Sequence, residues 1–320
     1  MRDTILFGDC RETLKEFDEK ARMCVTSPPY YGLRDYGGED NQIGQEQTPE
    51  EFIEQLVSVF REVKNVLTDD GTCWVNLGDS YYNYRPGKGQ ALVKQSVSKT
   101  KQDLPDKCAK RANKLEGLKE KDLIGIPWMF AFAMRNDGWY LRQDIIWHKP
   151  NPMPESVRDR CTKSHEYIFL FSKNRKYFYD NEAIKEPAKD WGTRDRTNGK
   201  YHNPGTGLAP HSGLSKSYPT KNKRSVWSVT VKPYKEAHFA TYPPDLIEPC
   251  ILAGSEEGDT ILDPFMGAGT TAAVAKSLNR YYIGCELNED YGNLIQKRIQ
   301  DYQPVNKVAQ EPCINILDII

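Results

Sequence analysis

Short apolar runs bounded by turn residues alternate along this chain with segments whose apolar positions recur every three to four residues. Thr4 to Phe7 and Met23 to Thr26 have the length and the boundaries of buried strands. A helix is predicted after Thr48, which stands as its N-cap, with Pro49 in the first position and Glu51 closing a capping box. Phe52, Leu56, Val59, Phe60, Val63 and Leu67 would then lay one apolar face on a neighbouring layer. Asp69-Asp70-Gly71 is expected to end that helix, with Thr72 to Leu77 as the next strand. Pro127 to Arg135 reads as a helix, and Tyr140 to Trp147 with Glu166 to Ser172 as an antiparallel pair. Thr260 to Leu262, a helix from Thr270 to Leu278, and Tyr281 to Cys285 form a closing β-α-β unit. The whole alternation predicts an α/β sheet.

Two segments break the rhythm. Tyr84 to Asp122 is polar and reads as a loop or partly helical insertion, and Asp180 to Val229 is rich in Gly, Asn, Ser, Lys and Arg. The formal net charge of the 320-residue chain is only −1, but it is unevenly spread. Arg85 to Lys121 carries eleven basic residues against four acids, and Asn181 to Glu236 eleven against five. Two basic patches on an acidic body suit a polyanion, although Lys-rich loops are also ordinary solvated surface. The eight cysteines are scattered without a C-x-x-C pair, which argues against a zinc site or a disulfide framework, so no metal is expected. The chain opens without a basic-then-apolar leader, and no apolar run approaches the roughly 18 residues needed to cross a bilayer. The expectation is a cytoplasmic protein with no membrane association.

Candidate chemistry sits in two places. Asp263-Pro264-Phe265-Met266-Gly267-Ala268-Gly269-Thr270-Thr271 joins a strand to a helix, as a ligand cradle does, because glycine admits close backbone approach and a helix start offers N–H groups. Glu286 ends the following strand, 23 residues past Asp263, where an acid can take ribose hydroxyls. A third glycine or a Gly-Lys-Ser/Thr ending, which pyrophosphate would need, is missing. A ribose without a pyrophosphate fits S-adenosylmethionine. The second place is Ser27-Pro28-Pro29-Tyr30, which follows a strand directly. Its prolines donate no N–H and hold their carbonyls in place. The Ser27 hydroxyl and the Pro28 carbonyl can each accept one hydrogen of an exocyclic amine, with Tyr30 stacked on the base.

On these residues the chain resembles the DNA amino-methyltransferases of cytosine N4 and adenine N6. Ser27-Pro28-Pro29-Tyr30 matches their (D/N/S)-P-P-(Y/F) motif, and Asp263 to Thr271 their D-P-F-x-G-x-G-T-T motif. The likeness runs from Gly8 to about Tyr291. It implies a Rossmann-like methyltransferase sheet, circularly permuted because the catalytic motif precedes the cofactor motif, with an inserted DNA-recognition region. The implied catalytic residues are Ser27, Pro28, Pro29 and Tyr30. The implied cofactor residues are Asp9, Cys10, Thr26, His238, Asp263, Phe265, Gly267, Gly269, Thr270, Glu286 and Asn288. Asp9 corresponds to the contact with the cofactor's adenine amino group. Trp147 to Asn151 and His165 to Phe169 resemble segments that support the base pocket.

In this order, residues 1–179 form the catalytic half with a basic insertion at 84–122, and 180–229 a target-recognition region. Residues 230–300 form the cofactor half and 301–320 a C-terminal tail. Arg194, Arg196, Lys221, Lys223 and Arg224 are the candidate DNA contacts, with Trp191 and Tyr201 able to stack or wedge. The partner implied is double-stranded DNA, with a restriction endonuclease sharing the site and the protein a monomer or homodimer. Ser27, where most adenine enzymes carry Asp, leans toward N4-cytosine over N6-adenine. Cytosine-C5 chemistry would need a Pro-Cys nucleophile, and Cys250, among Leu246, Ile247, Ile251 and Leu252, reads as core instead. Protein glutamine methylation uses a related N-P-P-Y loop but suits the basic segments less well. A DNA-binding module with a decayed fold is the non-enzymatic alternative.

Overall fold

A computed structural model describes residues 2–32, 42–82, 115–188, 219–231 and 242–303. The elements follow the chain as β1 (Thr4–Phe7), α1 (Cys10–Thr13), β2 (Ala21–Thr26), α2 (Pro49–Val66), β3 (Leu67–Leu77), α3 (Ile126–Asn136), β4 (Tyr140–His148) and β5 (His165–Ser172). They continue as β6 (Glu186–Pro187), β7 (Thr220–Lys221), β8 (Val226–Ser228), α4 (Pro244–Gly254), β9 (Thr260–Asp263), α5 (Thr270–Ser277), β10 (Tyr281–Glu286) and α6 (Gly292–Asp301).

Among the described residues, eight strands make one sheet in the order β1-β10-β9-β2-β3-β5-β4-β8, while β6 and β7 form a separate two-stranded ladder. Strands β1, β10, β9, β2 and β3 run parallel, and only β5 is reversed between β3 and β4. The first strand of the chain lies beside the last, with the Gly8 N–H donating to the Glu286 carbonyl at 2.9 Å, as the permuted order requires.

Side chains alternate between the two faces with the strand period of two. Cys24, Cys73, Val75, Leu77, Phe169, Phe171, Leu262 and Ile283 pack toward α2 and α3. Met23, Val25, Trp74, Ile168, Leu170, Ile261 and Tyr282 pack toward α4, α5 and α6. The protein is therefore a three-layer α/β structure with two cores. The predicted capping box is present in full: the Glu51 N–H donates to Thr48 Oγ1, and the Glu51 carboxylate accepts the Thr48 N–H.

Asp69-Asp70-Gly71 does not end α2. The helix stops at Val66 and the chain enters β3 directly at Leu67. The pairing jumps from Ala21–Leu67 to Met23–Thr72, so the three residues sit in a bulge. Asp70 pairs there with Arg22, and a Cβ on Gly71 would lie 2.9 Å from the Thr68 carbonyl oxygen and 3.0 Å from that of Arg22. Gly71 is needed for close backbone approach, not for a helix stop.

Val226–Ser228, inside the segment expected to recognise the target, instead forms the sheet's outer strand against β4. Most of the basic insertion at 84–122 lies outside the described residues. No described helix is long and apolar enough to cross a membrane.

Candidate active site

Parallel strands deliver their C-terminal ends to one edge of the sheet, which is where open α/β sheets bind ligands. Gly8-Asp9, Glu286, Asp263, Thr26-Ser27 and Leu77-Gly78 all leave their strands there. Because β5 is reversed, its first residues, His165 and Glu166, arrive at the same edge, as does Lys149 after β4. One edge thus collects residues from opposite ends of the chain.

The glycine turn after β9 is left-handed at both glycines, with φ 52° at Gly267 and 81° at Gly269. A Cβ on Gly269 would stand 2.9 Å from Ile295 Cγ2, so α6 packs directly on the turn. A Cβ on Gly267 would meet only the Phe265 carbonyl oxygen at 3.9 Å, leaving that side of the turn open to a ligand. Thr270 opens α5 immediately afterwards. Glu286 is lashed to the turn: its carboxylate accepts the Gly267 N–H at 2.8 Å and the Asn288 N–H at 3.0 Å. Burial raises its carboxyl above the ordinary value, with these two backbone N–H groups pulling the other way. Asn288 accepts the Asp290 N–H at 2.9 Å and so caps the short helix that follows.

Asp263 lies beneath this cradle rather than on its surface. It is wholly buried, and its carboxylate accepts four protein donors. Thr26 Oγ1 donates at 2.6 Å and the Phe265 N–H at 3.0 Å to one oxygen. Tyr242 Oη at 2.9 Å and Thr271 Oγ1 at 2.5 Å donate to the other. Burial pushes its pKa up, and the four hydrogen bonds only partly offset that. The Thr26–Asp263 bond joins the two sequence motifs across 237 residues. The sequence assigns both residues to cofactor contact; in the structure they bond each other and so also tie the glycine turn to the strand that carries the proline loop. The Cys10 thiol is likewise buried, and burial raises its pKa. Asp9 is held by Arg11, whose backbone N–H and Nε both donate to it at 2.9 Å. Partial burial alone would raise its carboxyl, but the Arg11 hydrogen bonds and charge outweigh that and lower it.

Beyond Ser27-Pro28-Pro29, the Tyr30 hydroxyl donates to Glu166 Oε2 at 2.8 Å. Asn76 Nδ2 donates to the same oxygen at 3.3 Å, and Lys149 pairs with the other oxygen. Gly78 passes directly under the Tyr30 ring, where a Cβ would stand 2.8 Å from Tyr30 Cε2. Beside the ring opens a cavity of about 130 Å³ lined by Tyr30, Gly78, Asp79, Lys149, Lys163, His165 and Glu166. Asp79 also accepts the N–H groups of Gly125 and Ile126 at 3.0 and 3.2 Å, substituting for a side-chain cap on α3. Burial lowers the Lys163 ammonium's pKa, against the raising charges of Asp79 and Glu166. Burial, then the Lys163 charge, lowers that of His165.

Sequence reasoning places the His165 and Lys149 segments near a base pocket but does not single out Glu166 as its hub. The signal available is a carboxylate opening an otherwise apolar strand. His238, Arg194 and Arg196 lie outside the described residues, as do Trp191 and Tyr201. Lys221, Lys223 and Arg224 converge on one acid, Glu186, at 3.9, 3.8 and 3.2 Å, which leaves the group net positive. Cys250 is fully buried within α4, which leaves it no role as an exposed nucleophile.

The chain is similar to known proteins. The chain is 46% identical to the type II methyltransferase M.XycI of Xanthomonas campestris pv. cyanopsidis, over 94% of this chain and 89% of that one. It is 46% identical to M.SmaI of Serratia marcescens, also a type II methyltransferase, over 92% and 90%. Among solved structures, the cytosine-N4-specific PvuII DNA methyltransferase superposes with a TM-score of 0.61 at 18% identity, covering 95% of this chain and 88% of that one. A DNA modification methylase of Thermus thermophilus, TTHA0409, solved complexed with S-adenosyl-L-methionine, superposes at 0.56 with 22% identity, covering 92% of each. These two likenesses reflect the fold. A sequence family described as DNA methylase, that of the N6 and N4 amino-methyltransferases, matches residues 21–297. That span contains both the proline loop and the glycine turn that the Thr26–Asp263 bond draws together, and the chain belongs to this family of S-adenosylmethionine-dependent DNA methylases.

Proposed function

We propose that the protein transfers a methyl group from S-adenosylmethionine to the N4 amine of cytosine in duplex DNA. One observation carries this reading. A neutral Ser27 heads the Pro-Pro-Tyr loop, and the cavity beside Tyr30, about 130 Å³, is close to the roughly 150 Å³ that admits a benzene ring. A single six-membered ring with an amino group suits that space.

The residues present fit the methyl donor. The open side of Gly267, the Phe265 and Asn288 flanks, the start of α5 at Thr270 and the Glu286 carboxylate form a cradle for a ribose-bearing ligand. Asp9 stands at the neighbouring strand end for the adenine moiety. S-adenosylmethionine, when bound, supplies an activated methyl group. The chain's own contribution is orientation. Ser27 Oγ and the Pro28 carbonyl accept the two amine hydrogens, so the nitrogen lone pair is aimed rather than free to rotate. Tyr30 provides the stacking face, its ring fixed by Glu166 above and by the missing side chain of Gly78 below.

A paired base cannot reach this recess, so the enzyme extrudes it, at a cost of about a few kcal/mol. Lys221, Lys223 and Arg224 then act as phosphate contacts, with residues 180–229 as the target-recognition region. A restriction endonuclease of the same site is the expected partner, in the cytoplasm.

The test is transfer of tritium from labelled S-adenosylmethionine to duplex DNA, followed by digestion to nucleosides. N4-methylcytosine is the expected product. N6-methyladenine would overturn the choice of base while keeping the class of reaction, and DNA left unlabelled on every sequence tried would favour a binding module.

A further inference from the structure

Extruding a base leaves a gap in the stack, and proteins that unstack DNA commonly fill such gaps with an apolar side chain. The connection between the two strands that border the base cavity carries one. Residues 150–164 connect β4 to β5, and both ends of this connection line the cavity, through Lys149 on one side and Lys163 and His165 on the other. The neck is closed by the Lys149 N–H donating to the Ser164 carbonyl at 2.8 Å.

Within this connection, Met153 is 65% exposed. Met23 and Met134 are fully buried, Met266 is 3% exposed and Met129 is half-buried, so Met153 is the most exposed methionine among the described residues. Met153 stands between Pro152 and Pro154, whose fixed φ stiffens the backbone that presents it. The loop is also braced. Glu155 accepts the Lys163 N–H at 3.1 Å and pairs with Arg160 at 2.6 Å, and the Arg160 guanidinium lies 3.9 Å from the centre of the Tyr81 ring. Asn151 exchanges hydrogen bonds with Val231 at 3.0 and 2.9 Å. Met153 is two residues from Glu155, about 7 Å of chain, and Glu155 is bonded to a residue of the cavity wall.

The surroundings are basic. The connection and its neck carry Lys149, Arg158, Arg160 and Lys163 against Glu155 and Asp159; Glu155 pairs with Arg160, Asp159 with Lys121 at 2.6 Å, and Lys149 with Glu166. An exposed thioether held between two prolines, on the connection whose two ends line the recess, suits the interior of a nucleic-acid duplex.

We propose that Met153 is the wedge that enters the base stack and holds the target base outside the duplex. This rests on the DNA-methylating reading above. The side chain contributes no chemistry to transfer; it lowers the cost of opening the duplex. Its deletion should therefore matter only when the target base is paired.

The experiment uses the full chain and a duplex carrying the site identified by sequencing DNA from an expressing host. Initial rates of methyl transfer are compared for wild type, Met153→Ala and Met153→Leu, on that duplex and on one whose target base faces an abasic position. Met153→Ala should lose about tenfold or more in kcat/KM on the paired duplex, and Met153→Leu should retain most of the wild-type rate. On the abasic duplex all three should be equal. An unimpaired Met153→Ala on paired DNA, or an equal loss on both duplexes, would overturn the wedge. Wild type inactive on both duplexes would instead overturn the methyltransferase reading itself.

Discussion

The cofactor cradle and the base pocket proposed above stand side by side on one sheet edge, yet they are built by opposite means. The cradle is mostly backbone. Two left-handed glycines, the start of a helix and one carboxylate lashed to a turn N–H come from a single stretch between Asp263 and Asn288. The base pocket is made of charged and aromatic side chains from Tyr30, Gly78-Asp79, Lys149 and Lys163 to Glu166, brought together from four separate segments. A donor of constant shape can be held by a local turn. In the proposed reading, a base arriving on a deformable duplex is instead met by an open recess lined with both cations and carboxylates.

The largest expected effect comes from the pocket. Tyr30→Ala removes the stacking face and should lower kcat about 100-fold, as loss of placement at a reacting centre does, while leaving cofactor affinity by calorimetry unchanged. Parallel losses in both would erase the distinction between the two regions.

Asp263→Asn tests their connection. Its amide would turn a donor toward hydroxyl and N–H groups that now donate to a carboxylate, leaving buried donors without acceptors. Stability in urea should fall by about 1–3 kcal/mol, and turnover should fall with it. A variant as stable as wild type would mean that the Thr26–Asp263 tie holds nothing together.

Gly78→Ala is a finer probe of the pocket alone. The new methyl would displace the Tyr30 ring and should reduce kcat about tenfold, the kinetic equivalent of ~1.4 kcal/mol, with cofactor affinity kept. If kcat were unchanged, the ring would not need its present position.

The smallest effect is electrostatic and belongs to the cradle. Glu286 titrates above the ordinary glutamate value of 4.5 because it is buried. Its ionised form is therefore penalised in the folded protein at neutral pH, and that penalty disappears as pH falls through the raised value toward 4.5. Thermal denaturation of wild type and Glu286→Gln should show wild type gaining relative stability from pH 7.5 to pH 5. A constant difference would place the carboxylate in water.

Much of this is legible in local patterns. The capping box at Thr48, the apolar runs of β2 and β9, and the glycine turn each depend on residues a few positions apart, so propensity and sterics decide them. The end of α2 departs from expectation because Asp69-Asp70-Gly71 has the composition of a helix stop, whereas a bulge against β2 determines its use. Glu166 escapes notice for a related reason. A polar residue near the start of a strand is ordinary in sequence, and its meaning comes from Tyr30, Asn76 and Lys149, which the fold brings to it.

By itself, the order of residues determined the α/β layering, the two motifs and the kind of chemistry they serve, since those follow from periodicity, proline and glycine geometry and the hydrogen-bonding capacity of a few side chains. Only the tertiary structure decided that Asp263 is a buried tie between the two motifs, and that a reversed strand delivers Glu166 to Tyr30. Burial and partnership between residues far apart in the chain depend on how the strands are ordered in the sheet, and no local pattern carries that information.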